Sequence, residues 1–248
     1  MKTFQTAILV GACALSLAAN SHAALVHLYE FNNNLNDSVG NIALVNNGGT
    51  LNPTSLSFGA NQGPTFNGEA GLADNYSIGL QFSLSDLTGW RKVIDFKNLI
   101  SDGGQYLKYG SAYLLPTGPT GVPNLVIANT IVDFLVTRDG ASGIYTTYLN
   151  GNIQYSYADS VSQNTVATLI GGNSVFQFFQ DDHFTSQTEA SAGTVHEIRV
   201  WNSALTRSEI ADAFAPVPEP STYLAGALLL LPFGLQGIRH LRCRKQAA

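Results

Sequence analysis

Short segments in which apolar and polar side chains alternate fill the middle of the chain. In residues 26–31 and 131–136, successive side chains would point to opposite faces of an extended strand. Gly and Asn, which favour turns, separate these segments. The longer period of an amphipathic helix does not appear between residues 24 and 202. This pattern predicts short antiparallel strands joined by tight turns.

The clearest hairpin is predicted over residues 144–157, where Asn150-Gly151 supplies the two positive φ angles of a type I′ turn. Because a two-residue loop fixes the register, we expect Tyr148 opposite Ile153, Thr146 opposite Tyr155, and Ile144 opposite Tyr157. That face is apolar and is expected to be buried. The other face is mostly polar and is expected in water; it carries Tyr145, Thr147, Leu149, Asn152, Gln154 and Ser156.

A last strand is predicted over residues 195–201, followed by a short helix. Thr206 and Glu209 have the spacing of a capping box, so the helix is expected to run to about Phe214. His196 shares a strand face with apolar residues, which predicts a hydrogen-bonded core histidine.

The two ends of the chain have a different composition. Lys2, an apolar run over 7–19 and the small-x-small triplet ending at Ala23 predict a signal peptide over residues 1–23. Near the other end, an apolar run over 223–238 precedes a basic cluster. As a helix these residues would span about 24 Å, a short transmembrane helix whose basic end stays in the cytoplasm.

Charge and cysteine usage narrow the function of the middle segment. Residues 24–215 contain 7 Lys and Arg against 16 Asp and Glu, a net charge of −9. Such an acidic domain lacks the basic footprint of a nucleic-acid-binding protein. Cys13 and Cys243 lie in the terminal segments, so the middle has no disulfide and no Cys/His zinc spacing.

Residues 216–248 contain a proline-rich motif, an apolar run and a basic end: Val217, Pro218, Glu219, Pro220, Ser221 and Thr222, then Arg239, Arg242 and Arg244. In this order they resemble the PEP-CTERM sorting signal of Gram-negative bacteria. The resemblance implies an inner-membrane precursor, an exosortase-type protease as partner, removal of the tail, and release to the cell surface or extracellular matrix. The alternative is a permanent single-span anchor.

Three motifs follow one another in residues 24–215: LYEFNNNLNDS at 28–38, YLNG at 148–151, and the strand and helix cap at 195–206. In their order and spacing they resemble LamG-like jelly-roll domains. The resemblance implies an all-β, concanavalin A-like sandwich of two antiparallel sheets. Some members of this fold hydrolyse glucans with an E-x-D-x-x-E strand motif, but the chain has no such motif, which favours a noncatalytic protein.

Two groups of residues are candidates for binding. Asp181 and Asp182, with Glu189 in the polar stretch that follows, predict a loop site for calcium. The alternatives are a solvated acidic loop, or a pair between Glu189 and Arg91 or Lys92.

Aromatic residues form the second group. Trp90 lies in a predicted turn, and Tyr106, Tyr109 and Tyr113 lie in a Gly-rich stretch, where they could stack on sugar rings or simply pack in the core or at its rim. We therefore expect an exported, noncatalytic surface or matrix protein that binds carbohydrate, such as an exopolysaccharide or a surface glycan, or mediates adhesion. The alternatives are a structural matrix protein acting by protein contacts, or a divergent glycan hydrolase.

Overall fold

A computed structural model describes residues 22–116 and 118–216 of the protein. Most of the predicted signal peptide, the Pro-Glu-Pro motif, the apolar run and the basic cluster lie outside these residues. No helix within the described ranges is long and apolar enough to cross a membrane. The chain divides into two compact units, one up to Arg207 and one from Ser208, and all the strands belong to the first unit.

The first unit is all-β, as predicted. Its strands in chain order are β1 Leu25–Tyr29, β2 Thr50–Asn52, β3 Ser55–Phe58, β4 Thr65–Glu69, β5 Tyr76–Leu84, β6 Trp90–Asp95, β7 Gly104–Lys108, β8 Ser111–Leu115, β9 Val132–Asp139, β10 Ile144–Leu149, β11 Asn152–Ala158, β12 Thr168–Ile170, β13 Asn173–Phe178 and β14 Gly193–Trp201. A 3-10 turn, Ala70–Leu72, follows β4.

The strands form two antiparallel sheets, consistent with a β sandwich. The larger sheet has the order β11-β10-β9-β5-β14-β3-β2, and β1 also pairs with β14. The smaller sheet has the order β12-β13-β6-β7-β8, and β4 also pairs with β13.

Aromatic rings from both sheets meet in the core between them. Tyr76 of β5 lies edge-to-face on Phe176 of β13, with 5.0 Å between ring centroids. Tyr145 of β10 lies in the same way on Phe96, which follows β6. Such aromatic pairs bury large apolar areas and fix the distance between the sheets.

The Asn150-Gly151 turn forms as predicted, with φ angles of 48° and 73°. Tyr148 pairs with Ile153, but Gln154 is an extra residue in β11, so Tyr155 pairs with Thr147 and not with Thr146. The prediction of the buried face was wrong. Tyr145, Thr147 and Leu149 point into the core, while Ile153 is 57% exposed. The bulge re-aims Tyr155 inwards, because a one-residue shift moves a side chain to the other face.

A second bulge corrects the prediction for His196. Val195 pairs with Phe82 and Glu197 with Gln81, which leaves His196 as the extra residue of β14. Val195 and Ile198 are fully buried, while His196 is partly exposed. The predicted short helix is confirmed as α1, Arg207–Ala211, although it ends earlier than expected.

The opening motif at residues 28–38 has a structural role. The carboxylate of Asp37 accepts hydrogen bonds from the backbone N–H groups of Leu28, Val39 and Gly40 at 2.9–3.1 Å, which ties the loop to β1. The buried ring of His27 lies between Asp37, at 2.6 Å, and Glu69 at the end of β4, at 3.0 Å. One histidine thereby joins the larger sheet to the smaller sheet.

Candidate functional site

The candidate site lies on the outer face of the smaller sheet, which we call the β6–β8 face. It carries the side chains of Trp90, Lys92, Tyr106, Lys108 and Tyr113. Leu107, Ala112 and Leu114 lie between them in sequence and point into the core. Strand alternation places these five side chains on the outer face, and a register shift after Lys92 lets Val93 and Ile94 both belong to the core.

Lys92 and Tyr106 are almost completely buried although they lie on this outer face. The ammonium of Lys92 contacts three carboxylates, with Nζ 2.5 Å from Asp182, 3.2 Å from Asp95 and 3.7 Å from Asp181. Asp181 and Asp182 are also fully buried, so they do not belong to a solvated loop.

At the residues that the sequence predicts to bind calcium, the ammonium of Lys92 lies among the carboxylates. Within residues 22–116 and 118–216, no group of three or more His, Cys, Asp or Glu residues is placed to hold a metal ion. The sequence suggests Lys92 only as a partner of Glu189, because nothing in the residues around it indicates that its side chain is buried.

The two aspartates also shape the segment that follows β13. Asp182 accepts hydrogen bonds from the N–H groups of Phe184 and Thr185, both at 2.8 Å. Asp181 accepts one from the N–H of Glu189, also at 2.8 Å. Backbone N–H groups that would otherwise lack partners are satisfied in this way, and the segment is held on the sheet.

Glu189 contributes an excess of negative charge to this cluster. Its Oε2 atom and the Oδ1 atom of Asp181 are buried and accept no hydrogen bond from the described residues. Burial, and then the negative charges of Asp181 and other nearby carboxylates, raise the pKa of Glu189 to about 7. Burial also raises the pKa of Asp181. For Asp182, burial acts in the same direction, but the hydrogen bond from Lys92 and those from backbone N–H groups lower its pKa overall.

These shifts predict a pH dependence of stability. A carboxyl whose pKa is higher in the folded state than in the unfolded state stabilises the fold at acidic pH, and this contribution is lost as the pH rises from about 4.5 to about 7. We expect Glu189→Gln, which keeps the shape without the charge, to raise the thermal midpoint at pH 8. At pH 5 the variant and the wild type should have the same thermal midpoint. An equal difference at both pH values would contradict this assignment.

The exposed part of the β6–β8 face is aromatic. Trp90 is the first residue of β6 and not part of a turn, which corrects the prediction for this residue. Its partly exposed ring meets that of Tyr113 edge-to-face at 4.9 Å. Tyr106 lies beneath: its ring is fully buried and its hydroxyl donates to Asp102 at 3.1 Å. Tyr106 therefore supports Trp90, at 5.9 Å between centroids, and cannot itself stack on a ligand.

Tyr109 projects from the turn between β7 and β8 and is 59% exposed. Tyr109-Gly110 has φ angles of 49° and 73°, close to those of Asn150-Gly151. Asn or Gly is favoured at the first of these positions, and a bulky residue there costs about 1 kcal/mol. The following glycine is required, because a Cβ on Gly110 would lie 2.3 Å from the carbonyl oxygen of Val126.

A depression of about 330 Å³ lies near this face. It is lined by Ile100, Ser101, Asp102, Gly103, Pro116 and Phe184. Phe184 is 77% exposed and Ile100 is 71% exposed, while Asp102 connects the depression to the hydroxyl of Tyr106. The sequence alone does not single out Phe184, which belongs to none of the motifs and directly precedes the polar stretch.

No protein-family model matches the chain, and a comparison with curated proteins gave no match. Among solved structures, the chain is similar to domain 4 of a GH43 extracellular arabinanase from Geobacillus stearothermophilus, in complex with arabinotriose. The identity is 21% over 77% of this chain and 98% of that domain, with a TM-score of 0.52.

Two other similarities cover only part of the neighbour. A Trypanosoma rangeli sialidase in complex with 2,3-difluoro-KDN has 16% identity and a TM-score of 0.57, over 75% of this chain and 31% of the sialidase. The botulinum neurotoxin serotype D binding domain has 14% identity and a TM-score of 0.55, over 75% of this chain and 50% of that one. The chain thus spans about a third of the sialidase. At these identities the comparisons show a shared β-sandwich fold.

Proposed function

We propose that the protein is a noncatalytic carbohydrate-binding or adhesive module, with a LamG-like, concanavalin A-like jelly roll, that binds through the exposed part of the β6–β8 face. The observation that carries the proposal is Tyr109. A tyrosine occupies a turn position that disfavours bulky side chains, and most of its ring faces solvent. Backbone strain of this kind is concentrated at functional sites, and an exposed aromatic ring suits the apolar face of a sugar.

The surroundings of Tyr109 support the same function. Trp90 and Tyr113 are also partly exposed, and the nearby depression combines exposed apolar side chains with the carboxylate of Asp102. Carbohydrate sites commonly join aromatic surface to a few polar groups. The arabinanase domain, solved with arabinotriose, and the sialidase, solved with a sugar analogue, add support at the level of the fold.

Tyr109→Asn tests the proposal. Removal of the ring is expected to weaken binding to the best polysaccharide on a glycan array by about tenfold. Because asparagine accepts a positive φ, the thermal midpoint should rise by about 2 °C. Titration of the full-length protein measures the affinity, and thermal melting measures the midpoint. The addition of calcium is expected to change neither quantity.

The reverse exchange at the other hairpin is the matched control. Asn150→Tyr places the same ring in the same turn geometry, and it should lower the thermal midpoint while leaving affinity unchanged. A Tyr109→Asn variant that binds as tightly as the wild type would contradict the proposed site. If Phe184→Ala abolishes binding and Tyr109→Asn does not, the binding site is the depression.

A glycan hydrolase is the second candidate function, and the raised pKa of Glu189 favours it, because a carboxyl that stays protonated near neutral pH can act as a general acid. Against it, Asp95, Asp181 and Asp182 are all buried and face Lys92. Release of reducing ends that Glu189→Gln abolishes would identify a hydrolase.

We further propose that the protein follows the PEP-CTERM route, with an inner-membrane precursor that an exosortase-type protease releases to the cell surface or matrix. The support is the sequence motif at residues 217–222 with its apolar run and basic end. Replacement of Pro218-Glu219-Pro220 by alanines should leave the full-length chain in the inner membrane, while the unaltered protein loses its tail, as intact mass and fractionation would show. If both forms keep the tail, the anchor is permanent.

A further inference from the structure

We propose that the ligand of the β6–β8 face is an acidic polysaccharide, and that the ammonium of Lys108 binds a carboxylate of its uronic acid units. This inference rests on the proposed function and names its class of ligand. It is carried by one side chain that the sequence analysis did not single out.

Two aromatic rings lie close to the ammonium of Lys108. Its Nζ atom lies 4.1 Å from the centroid of the Trp90 ring and 5.6 Å from that of Tyr109. No ion pair joins Lys108 to a carboxylate of the described residues, and no hydrogen bond from its ammonium to a described acceptor is found. The side chain is partly exposed, so a ligand can reach it.

The other basic residues of the smaller sheet and its surroundings have polar partners. Arg91 pairs with Asp86, Lys92 with three aspartates, and Lys97 donates to two backbone carbonyls. In the larger sheet, Arg138 pairs with Asp74 and Arg199 with Glu197. Acidic side chains outnumber basic ones in this domain, yet the ammonium of Lys108 has rings for neighbours.

The rings leave part of the ammonium's binding capacity unused. A cation over an aromatic face is held electrostatically, but the face does not replace the strong acceptors that three N–H donors can bind. A carboxylate supplies such acceptors and forms a charge-assisted hydrogen bond, which is stronger than a neutral one. The apolar rings also exclude water from one side of the ammonium. The attraction between the ammonium and a carboxylate is therefore stronger than in a fully exposed ion pair.

A uronic acid unit matches this arrangement, because its apolar ring face can lie on the exposed Tyr109 while its carboxylate reaches the neighbouring Lys108. The negative charge of the domain opposes an anionic ligand only at longer range. At physiological ionic strength the Debye length is about 8 Å, so distant charges are screened more than the contact pair.

Polygalacturonate and its fully methyl-esterified form provide the test, since they share a backbone and differ in charge. At 0.15 M salt, the full-length protein is expected to bind the acid form about tenfold more tightly than the ester, consistent with a partly desolvated ion pair. Lys108→Met keeps the side-chain length without the charge and should abolish this preference. Lys108→Arg should retain it.

The outcomes separate this inference from the proposed function. Equal binding of both polymers, unchanged by Lys108→Met, would overturn the acidic ligand while leaving a carbohydrate-binding face. A preference for the acid form that persists in Lys108→Met would overturn the role of Lys108. Tighter binding of a sulfated polymer such as carrageenan, lost in Lys108→Met, would overturn the assignment of a carboxylate. If no polysaccharide binds, neutral or acidic, the proposed function itself fails.

Discussion

Replacement of Lys92 by methionine is expected to lower the free energy of unfolding by about 3–5 kcal/mol, the usual cost of removing one partner from a buried ion pair. The ammonium of Lys92 is the cation that faces the carboxylates of Asp95, Asp181 and Asp182, and all four side chains are fully buried. Without it, these carboxylates must either be protonated or draw water into the site. Urea unfolding at pH 7 measures the loss.

Lys108→Met is the matched control, because it removes a lysine from the neighbouring strand of the same face, where the side chain is partly exposed. It should change stability by less than about 1 kcal/mol. Combining Lys92→Met with Asp182→Asn should recover part of the loss, since one uncompensated charge is removed. Equal effects of the two lysine variants would show that the Lys92 cluster does not stabilise the fold.

Replacement of Gln105 by leucine is expected to cost at least about 3 kcal/mol, because three buried hydroxyl groups would lose their acceptor. Its Oε1 atom accepts hydrogen bonds from Tyr145 at 3.0 Å, Thr147 at 3.1 Å and Tyr155 at 2.9 Å. Gln105 belongs to the smaller sheet and the three donors to the larger sheet, so one amide oxygen joins the two sheets inside the core.

Gln81→Leu is the control for this prediction. Gln81 is a partly exposed glutamine that donates to Asp133 at 2.8 Å, so its loss should cost less than about 1 kcal/mol. Adding Tyr145→Phe and Tyr155→Phe to Gln105→Leu should restore part of the stability, because removing both partners of a buried hydrogen bond is less costly than removing one. Urea unfolding that shows no restoration would contradict the hydroxyl network as the cause.

The local elements were predictable because their signals lie within a few residues of each other. The Asn150-Gly151 turn, the strand before Asn202 and the short helix after Thr206 each depend on backbone preferences that neighbours in sequence determine. The alternating pattern predicted the antiparallel strands, while their division into two sheets was implied by the resemblance to LamG-like domains. Both errors of register arose at bulges, at Gln154 and His196, and a single inserted residue leaves no mark in the alternation of the sequence.

The candidate site was predicted in part. Trp90 and Tyr109 were singled out as aromatic residues and they do lie on one exposed face, together with Tyr113. Tyr106 was placed beside them but is buried beneath, because the segment after β13 is tied over part of the sheet. Lys108 and Phe184 were missed, since neither belongs to a motif.

The sequence by itself determined the all-β class, the main turns and the acidic, disulfide-free character of the domain, because composition and short-range backbone preferences are properties of the chain alone. The tertiary structure decided which face of each strand is buried and which charges meet. Asp181 and Asp182 look like ligands for a cation in the sequence, and the cation they meet is Lys92, about 90 residues earlier in the chain. Such pairings depend on how the sheets and their connections fold together, and no local pattern specifies them.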